Sequence, residues 1–453
     1  MSTTILLPAE VEYIIDTFYN AGYKAYAVGG CVRDSLMNKN PYDWDICTNA
    51  LPHTVKELFT AHNVIETGIK HGTVTLVIDK TPYEITTFRK ETTYSDNRHP
   101  DSVDFVTSLD EDLSRRDFTV NAMAYNQYDG LIDLFNGRAD LTNKIIRAVG
   151  NPDQRFNEDA LRILRALRFA STLEFTIESE TKNAIQKNKQ LLNNIAKERI
   201  WTEFKKLMVG DGCADILREF AQVIAVFIPD ITPMIGFKQN HPMHCYDVWE
   251  HTLHALQNAQ PDLLLRLSVL FHDIGKPETH FTDDKGISHF YGHNKESKEI
   301  AFNILTALKS ENRLKNDVVT LVDFHDRVMT ATVKSVRRTN CKIGSERLFK
   351  LLLQVKLCDI KAQAPHIINE RVAEIENITD IFNKLQNDNK LVTTVKDLNI
   401  NGNDIILLGV NDGRFVGKIL NRLLTMVVDG RVENSHSELL KMAEILKKSW
   451  ENS

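Results

Sequence analysis

Along the first 140 positions, short apolar runs alternate with turn residues. "EVEYIIDTFYNAG" repeats its apolar positions at threes and fours and stops at Gly22, which predicts a helix and its end. "KAYAVGG" follows as a strand running into a glycine turn. "DWDICT", "GTVTLVID" and "YEITTFR" alternate and are rich in β-branched or aromatic residues, and "DKTP" makes a turn between the last two. Residues 1–140 therefore read as an α+β head built on a small, largely antiparallel sheet. From about Asn151 the period changes. "NEDALRILRALRFAS", "TKNAIQKNKQLLNNIA" and "ERIWTEFKKLMV" carry apolar residues at helical spacing and predict an all-α neck over 141–210. Helical patterning continues through a body over 211–370 and a tail over 371–453, interrupted near "DDKGISHFYGH" and "LNINGNDIILLG".

Composition adds few constraints. A chain of 453 residues, 42% apolar, is too long for one ordinary domain. It has no apolar stretch near the roughly 18 residues that a membrane helix needs. The N-terminal segment lacks a basic region followed by an apolar block, and the six cysteines form no CxxC pair, which reads as reduced thiols in a cytoplasmic protein. The net charge of -6 does not mark a nucleic-acid binder, but residues 141–210 hold 13 Lys/Arg against 8 Asp/Glu. Taken alone, such a surplus reads as a solvated helical face.

Candidate chemistry lies first in "AVGGCVRDSLMNKNPYDWDICTNA". On a strand, Asp43 and Asp45 share a face while Trp44 turns into the core. Two carboxylates so placed suit two magnesium ions roughly 3.5–4 Å apart, the arrangement for in-line displacement at phosphorus. Gly29 and Gly30, just before a helix, let backbone N–H groups approach a polyphosphate, and Arg33 adds a charge within the first turn. Glu84 is either a third carboxylate of this group or an ordinary exposed strand glutamate.

These residues resemble the nucleotidyltransferases that add CCA to tRNA, in the bacterial-type class that includes bacterial poly(A) polymerases. The matching stretches, "VGGCVRD…DWDI", "KHGTVTLVID…YEITTFR", "DLSRRDFTVNAMAY", "NEDALRILRALRFA" and "KERIWTEFKKL", keep the family's order over about the first 210 residues. The resemblance implies a polymerase-β-like head followed by helical neck, body and tail. It implies Mg2+ on Asp43 and Asp45, with Glu84 in support. It places Gly29, Gly30 and Arg33 at the triphosphate, and Arg115, Arg116, Asp117 and Asn121 along ribose and phosphates. Asp159 and Arg162 fall where the family reads the incoming base. On one helical face, an acceptor and a donor would satisfy both cytosine and adenine, each of which offers an amine beside a ring nitrogen. Uracil and guanine would leave acceptor facing acceptor. Arg168 continues this helix, and Arg165 either holds phosphate or fixes Asp159. Arg199 and Glu203 resemble a bracing motif.

A second resemblance concerns "VLFHDIGKPETHF", whose adjacent His272 and Asp273 are similar to the HD phosphohydrolase superfamily. With His251, His293, His325 and Asp359 it implies a two-metal site in an HD-type helical body. Imidazoles with carboxylates suit a transition metal such as Ni, Mn, Co or Fe, and Lys276 would meet a substrate phosphate. His241, His244, His280 and His289 are read as non-ligands. In the tail, Lys418, Arg422 and Arg431 either touch tRNA phosphates or only pack. The expected activity is addition of C, C and A to tRNA from CTP and ATP with release of pyrophosphate, with a metal-dependent phosphohydrolase activity besides. No membrane or obligate protein partner is expected. The alternatives are a poly(A) polymerase, for which a more basic chain is expected, a CC-only or A-only enzyme, and an RNA-binding HD phosphohydrolase with an inert head. The segment around Arg98, His99 and Pro100 reads as complete, which favours full CCA addition.

Overall fold

The computed structural model describes residues 4–69, 72–91, 103–388 and 390–451. The segment around Arg98, His99 and Pro100 lies outside the described residues. Two compact units divide the chain, Met1–Pro229 and Asp230–Ser453.

The first unit opens with α1 (Ala9–Asn20), β1 (Ala25–Val28), α2 (Gly30–Leu36), β2 (Asp45–Thr48) and α3 (Pro52–Leu58). It continues through β3 (Asn63–Gly68), β4 (Thr73–Ile78), β5 (Thr81–Thr87), the small pair β6 (Arg89–Glu91) and β7 (Val103–Phe105), and α4 (Leu109–Ser114). Then come β8 (Met123–Asn126) and β9 (Gly130–Asp133). Seven strands form one sheet in the order β3-β4-β5-β2-β1-β8-β9. Neighbours run antiparallel except β2 and β5, which are parallel. The alternating apolar pattern is used as expected. Val74, Leu76 and Ile78 of β4 are buried while the residues between them are only half-buried, and central β1 is buried throughout. Helix α1 places Val11, Ile14, Ile15 and Phe18 in the core, with Phe18 edge-on to Phe59 at 5.3 Å. Each such side chain contributes about 1.5–3 kcal/mol. Asp79 and Lys80 at φ 48° and 68° close the β4–β5 hairpin with the twist that two-residue turns favour.

After α5 (Gly137–Thr142) and β10 (Ile145–Ile146) come α6 (Pro152–Glu158), α7 (Leu161–Leu173), β11 (Thr176–Ile177), α8 (Ser179–Asn188), α9 (Lys197–Met208), α10 (Cys213–Glu219) and α11 (Ala221–Ile224). The continuous helix expected over "NEDALRILRALRFAS" is broken. Asp159 is extended, at φ -137° and ψ 104°, and its Oδ1 accepts from Leu161 N at 3.0 Å. An aspartate that bonds its own downstream backbone caps a new helix instead of continuing the old one. Asp159 and Arg162 therefore do not share a helical face, contrary to the i,i+3 expectation.

The second unit is almost wholly helical: α12 (Val248–Gln257), α13 (Leu263–Phe271), the hairpin β12 (Phe281–Thr282) and β13 (Ser288–His289), α14 (His293–Ala307), α15 (Asn312–Phe324), α16 (Val333–Ile343), α17 (Glu346–Lys361) and α18 (Pro365–Asn387). Its last three helices are α19 (Gly402–Leu407), α20 (Gly413–Val428) and α21 (His436–Glu451). Ile405, Ile419, Leu423 and Leu439 knit these three around a small core of their own. All six cysteines are free. Among the described residues no helix is long and apolar enough to cross a membrane.

Candidate active sites

The parallel pairing of β2 with β5 sets Asp45 opposite Glu84. Asp43 lies just before β2 and is exposed, and Trp44 between the two aspartates is 9% exposed. Solvent reaches Asp45, yet the protein packed around its carboxyl, followed by the charges of Asp43 and Glu84, pushes it up to about 6, with Arg116 opposing. Three carboxylates crowded at one strand end form an unbalanced negative cluster of hard oxygens, which fits a divalent cation. A proton and a cation then compete for Asp45. With its pKa raised in the folded chain, the carboxyl takes its proton as pH falls through about 6. Mn2+ affinity, measured by titration calorimetry, is expected to be flat above pH 7 and to fall about tenfold per unit below about 6. A flat profile down to pH 5 would detach Asp45 from the ion.

The glycine turn lies against this cluster. Gly29 has φ 81°, a conformation that strains any residue with a side chain, and a Cβ there would also press on Arg116 Nη1 at 3.1 Å. Arg33, 8% exposed, donates to Asp34 Oδ1 from Nε (2.9 Å) and to Asn121 Oδ1 from Nη1 (2.6 Å). Asn121 donates onward to Asp117 Oδ1 (3.1 Å), and Arg165 Nε donates to Asp117 Oδ2 (2.8 Å). Burial works against the Asp117 charge, but Arg165 and Asn121 hold its carboxyl at about 2. Arg33, Arg165 and Arg168 surround the Phe169 ring at 5.1, 5.5 and 4.0 Å, and Arg168 also pairs with Glu203 at 3.2 Å. The negative ring face offsets part of the repulsion among three guanidiniums. Thus Arg33, Asp117, Asn121, Arg165 and Arg168 form one network.

Sequence reasoning missed three members of this site. Asp112 is fully buried and holds Arg115 at 2.7 Å and Arg116 at 3.2 Å. Its i,i+3 and i,i+4 spacing was the readable signal. Removing it would take the shared carboxylate from both guanidiniums, a destabilising change. Phe169 carried no signal beyond an apolar helix position. Glu158 is the third. Arg162 donates to Glu158 (2.6 Å) and to the carbonyls of Arg155 (3.2 Å) and Arg115 (2.9 Å), while Asp159 pairs with Arg199 at 3.0 Å. Asp159 and Arg162 are thus held by different partners. Arg165 serves Asp117 and leaves Asp159 to Arg199.

The second unit gathers all six residues that the HD resemblance named. His251 comes from α12, His293 opens α14 and Asp359 lies on α17, while His272 and His325 follow the ends of α13 and α15. His272 and Asp273 therefore occupy the turn after an apolar helix rather than its interior. Two triads, His251–His272–Asp273 and Asp273–His293–His325, share Asp273, and each keeps its ligand atoms within 4.8 Å of one another. Asp359 Oδ1 lies 3.0 Å from His251 Nε2. Each imidazole directs Nδ1 at a backbone carbonyl: His251 at Ala362 (3.2 Å), His272 at Val269 (2.6 Å), His293 at Phe290 (2.8 Å) and His325 at Val322 (2.6 Å). A carbonyl only accepts, so each Nδ1 carries a proton and the Nε2 atoms turn inward. Burial lowers the pKa of His325 and keeps that ring neutral. His325 Nε2 nevertheless stands 3.1 Å from His293 Nε2, while His272 Nε2 lies 3.1 Å from Asp273 Oδ2, whose charge outweighs burial and raises the imidazole's pKa. Two inward imidazole nitrogens beside the Asp273 carboxylate at that distance fit a shared cation. Lys276 reaches Asp273 Oδ2 at 2.6 Å and donates to Gln239 at 2.9 Å. The cluster borders a cavity of about 320 Å³, which His241, His244 and His289 also line, while His280 bonds Ser288.

Comparison with known proteins follows the same division. Residues 25–147 match the poly A polymerase head domain, residues 174–233 the "Probable RNA and SrmB- binding site of polymerase A", and residues 282–443 a tRNA nucleotidyltransferase domain 2. The CCA-adding enzymes of Ligilactobacillus salivarius and Lactobacillus helveticus are each 35% identical, over 96% of this chain and 95% and 96% of theirs. The crystal structure of the Bacillus stearothermophilus CCA-adding enzyme in complex with CTP superposes with TM-score 0.70 at 30% identity, covering 99% of this chain and 100% of that one. The Thermotoga maritima CCA-adding enzyme complexed with tRNA, at 20% identity, TM-score 0.59 and coverage of 97% and 96%, shares the fold.

Proposed function

The chain belongs to the CCA-adding enzyme family and is a nucleotidyltransferase, and from that premise we propose that it builds or repairs the 3′-terminal CCA of tRNA from CTP and ATP, releasing pyrophosphate. The observation that carries this reading is the register that sets Asp45 beside Glu84, with Asp43 two residues away across buried Trp44. Asp43 and Asp45, supported by Glu84, would hold Mg2+, which when bound lowers the barrier to attack by the tRNA 3′-OH and neutralises the leaving pyrophosphate. Gly29 and Gly30 leave the backbone bare for a triphosphate, and the guanidiniums around Phe169 supply fixed positive charge. Asp159 offers acceptors and Arg162 donors to the incoming base. Arg199 and Glu158 set their orientations.

The reading is tested with tRNAs ending before CCA, after C and after CC, each incubated with single labelled nucleotides. CTP is expected to extend the first two and ATP the third, with UTP and GTP inert. Repeated adenylation of any RNA would mark a poly(A) polymerase, and extension at one stage only would mark a partial enzyme. In the same assay Asp159→Ala is expected to lower discrimination against UTP and GTP about 10–100-fold, the effect of about 1–3 kcal/mol per mispaired buried group. An equal fall for all four nucleotides would make Asp159 structural.

A second reading is favoured by the inward-facing imidazoles of the second unit. His251, His272, Asp273, His293, His325 and Asp359 would hold a transition-metal pair and support hydrolysis of a phosphoester.

A further inference from the structure

The cavity beside the imidazole cluster has one wall that the cluster does not explain. The hairpin β12–β13 sets Phe281 opposite His289 and Thr282 opposite Ser288. Bonds within the hairpin fix the His289 ring. Its Nε2 lies 2.9 Å from Asp283 Oδ2, and Asp283 Oδ1 accepts from the backbone N–H groups of Lys285 (3.0 Å) and Ile287 (2.9 Å). Ser288, 1% exposed, ties the hairpin to its base: its N–H donates to the Asn240 carbonyl at 3.2 Å, and its Oγ pairs with His280 Nε2 at 2.9 Å.

Three aromatic rings follow one another along this wall. Phe281 lies 6.4 Å from His289 at 29°, and Tyr291 lies 5.4 Å from His289 on planes 4° apart. Cross-strand pairing accounts for Phe281 on His289. It does not account for Tyr291, which stands past the end of β13 and is 77% exposed. A ring laid parallel on a fixed imidazole and left open to water presents a flat π-face, and its side chain has little freedom left to lose when another ring stacks on it. The same cavity carries charge. Asp273, His293, His325 and Asp359 line it, with Lys276 and Arg371 as its lysine and arginine. Arg371 donates to Gln363 Oε1 at 2.5 Å, and Gln363 donates onward to Asp359 Oδ1 at 3.1 Å, which holds the guanidinium near the cluster. Candidate metal ligands, two cations and an aromatic face thus share one cavity of about 320 Å³, the scale of a small-molecule site.

We propose that Tyr291, backed by His289, is a base-stacking subsite beside the imidazole cluster, so that the phosphoester this cluster takes is one that carries a nucleobase. The proposal rests on the second reading above, hydrolysis of a phosphoester in the second unit, and adds the residue that selects the substrate. Only Gly292, at φ 78°, separates Tyr291 from His293 at the start of α14, so one short turn joins the stacking face to a candidate metal ligand. Every base has a π-face. Stacking therefore selects a nucleotide over a bare sugar phosphate without choosing among the bases.

The test compares the unaltered protein with Tyr291→Ala, Tyr291→Leu and Tyr291→Phe. Adenosine, the inert product of AMP hydrolysis, is titrated calorimetrically into the metal-loaded protein, with ribose as the base-free control. Binding at the first unit is common to every variant and cancels in the comparison. The Kd for adenosine in the second unit is expected to rise about 10–100-fold in Tyr291→Ala and Tyr291→Leu, and to stay within about twofold in Tyr291→Phe, because stacking needs the ring and not the hydroxyl. The kcat/KM for AMP should fall by the same factor while that for ribose 5-phosphate holds within about twofold, and CMP, GMP and UMP should match AMP within about fivefold. Should Tyr291→Ala disturb His293 two positions on, the bulk-preserving pair Tyr291→Leu and Tyr291→Phe decides the point. An adenosine Kd that the loss of the ring leaves unchanged would overturn the proposal. So would an equal loss on AMP and ribose 5-phosphate, or a Tyr291→Phe variant as defective as Tyr291→Leu. An unaltered protein that holds no transition metal and hydrolyses none of these esters would instead defeat the reading on which the proposal rests, and adenosine binding would still decide whether Tyr291 stacks a base.

Discussion

Asp45→Ala is expected to abolish nucleotide addition, by a factor on the order of 10³ or more, because a lost metal ligand forfeits several kcal/mol of transition-state stabilisation. Asp43→Ala should do the same. Neither change should weaken the fold. Asp43 is exposed, and at Asp45 the substitution relieves the burial of a charge and the repulsion from Asp43 and Glu84 that now lift its carboxyl to about 6. Thermal stability of Asp45→Ala should therefore equal or exceed that of the unaltered chain while tRNA binding persists. The outcome that sinks the assignment is addition above a few per cent of the original in a folded variant. Asp45→Asn sharpens the test, since it keeps shape and one oxygen acceptor but removes the charge a cation needs.

The second large effect belongs to the other unit. His272→Ala with Asp273→Ala should empty the imidazole cluster of metal and eliminate hydrolysis of bis(p-nitrophenyl) phosphate, while CCA addition stays within about threefold, because separate sites without shared partners act independently. Asp273 belongs to both triads, so its loss should remove both ions rather than one. The double change also strands Lys276, now 2.6 Å from Asp273, so His325→Gln serves as a gentler variant that should still cost the ion shared with His293. Metal analysis of the purified protein decides the point independently of activity. A chain that holds no transition metal and hydrolyses nothing would reduce the cluster to scaffold. Loss of addition in a folded double variant would mean that the two sites are coupled.

Much of the head was legible before the fold was known. The alternation of β4, the turn at Asp79 and Lys80, the glycine pair and the buried Trp44 between two aspartates are all local patterns, each settled by residues within a few positions of one another. The break at Asp159 was misread because the apolar spacing of "NEDALRILRALRFAS" continues across it. The extended backbone of Asp159 and its side chain's bond to Leu161 N mark where one helix ends and another begins.

The sequence by itself determined the material of both candidate sites: which residue types are present, their order, the D-x-D spacing, and the presence of four imidazoles and two carboxylates in one stretch of helices. Tertiary structure decided the partnerships. Glu84 reaches Asp45 through the parallel β2–β5 register, and Arg165 goes to Asp117 while Arg199 takes Asp159. The four Nε2 atoms converge because carbonyls from four separate segments fix the opposite edge of each ring. The physical reason is range. Periodicity and capping act within a turn or two and are written in neighbouring letters. Charge pairing and ligand convergence depend on packed distances between residues tens to a hundred positions apart, and several assignments satisfy the letters equally well until the core is packed.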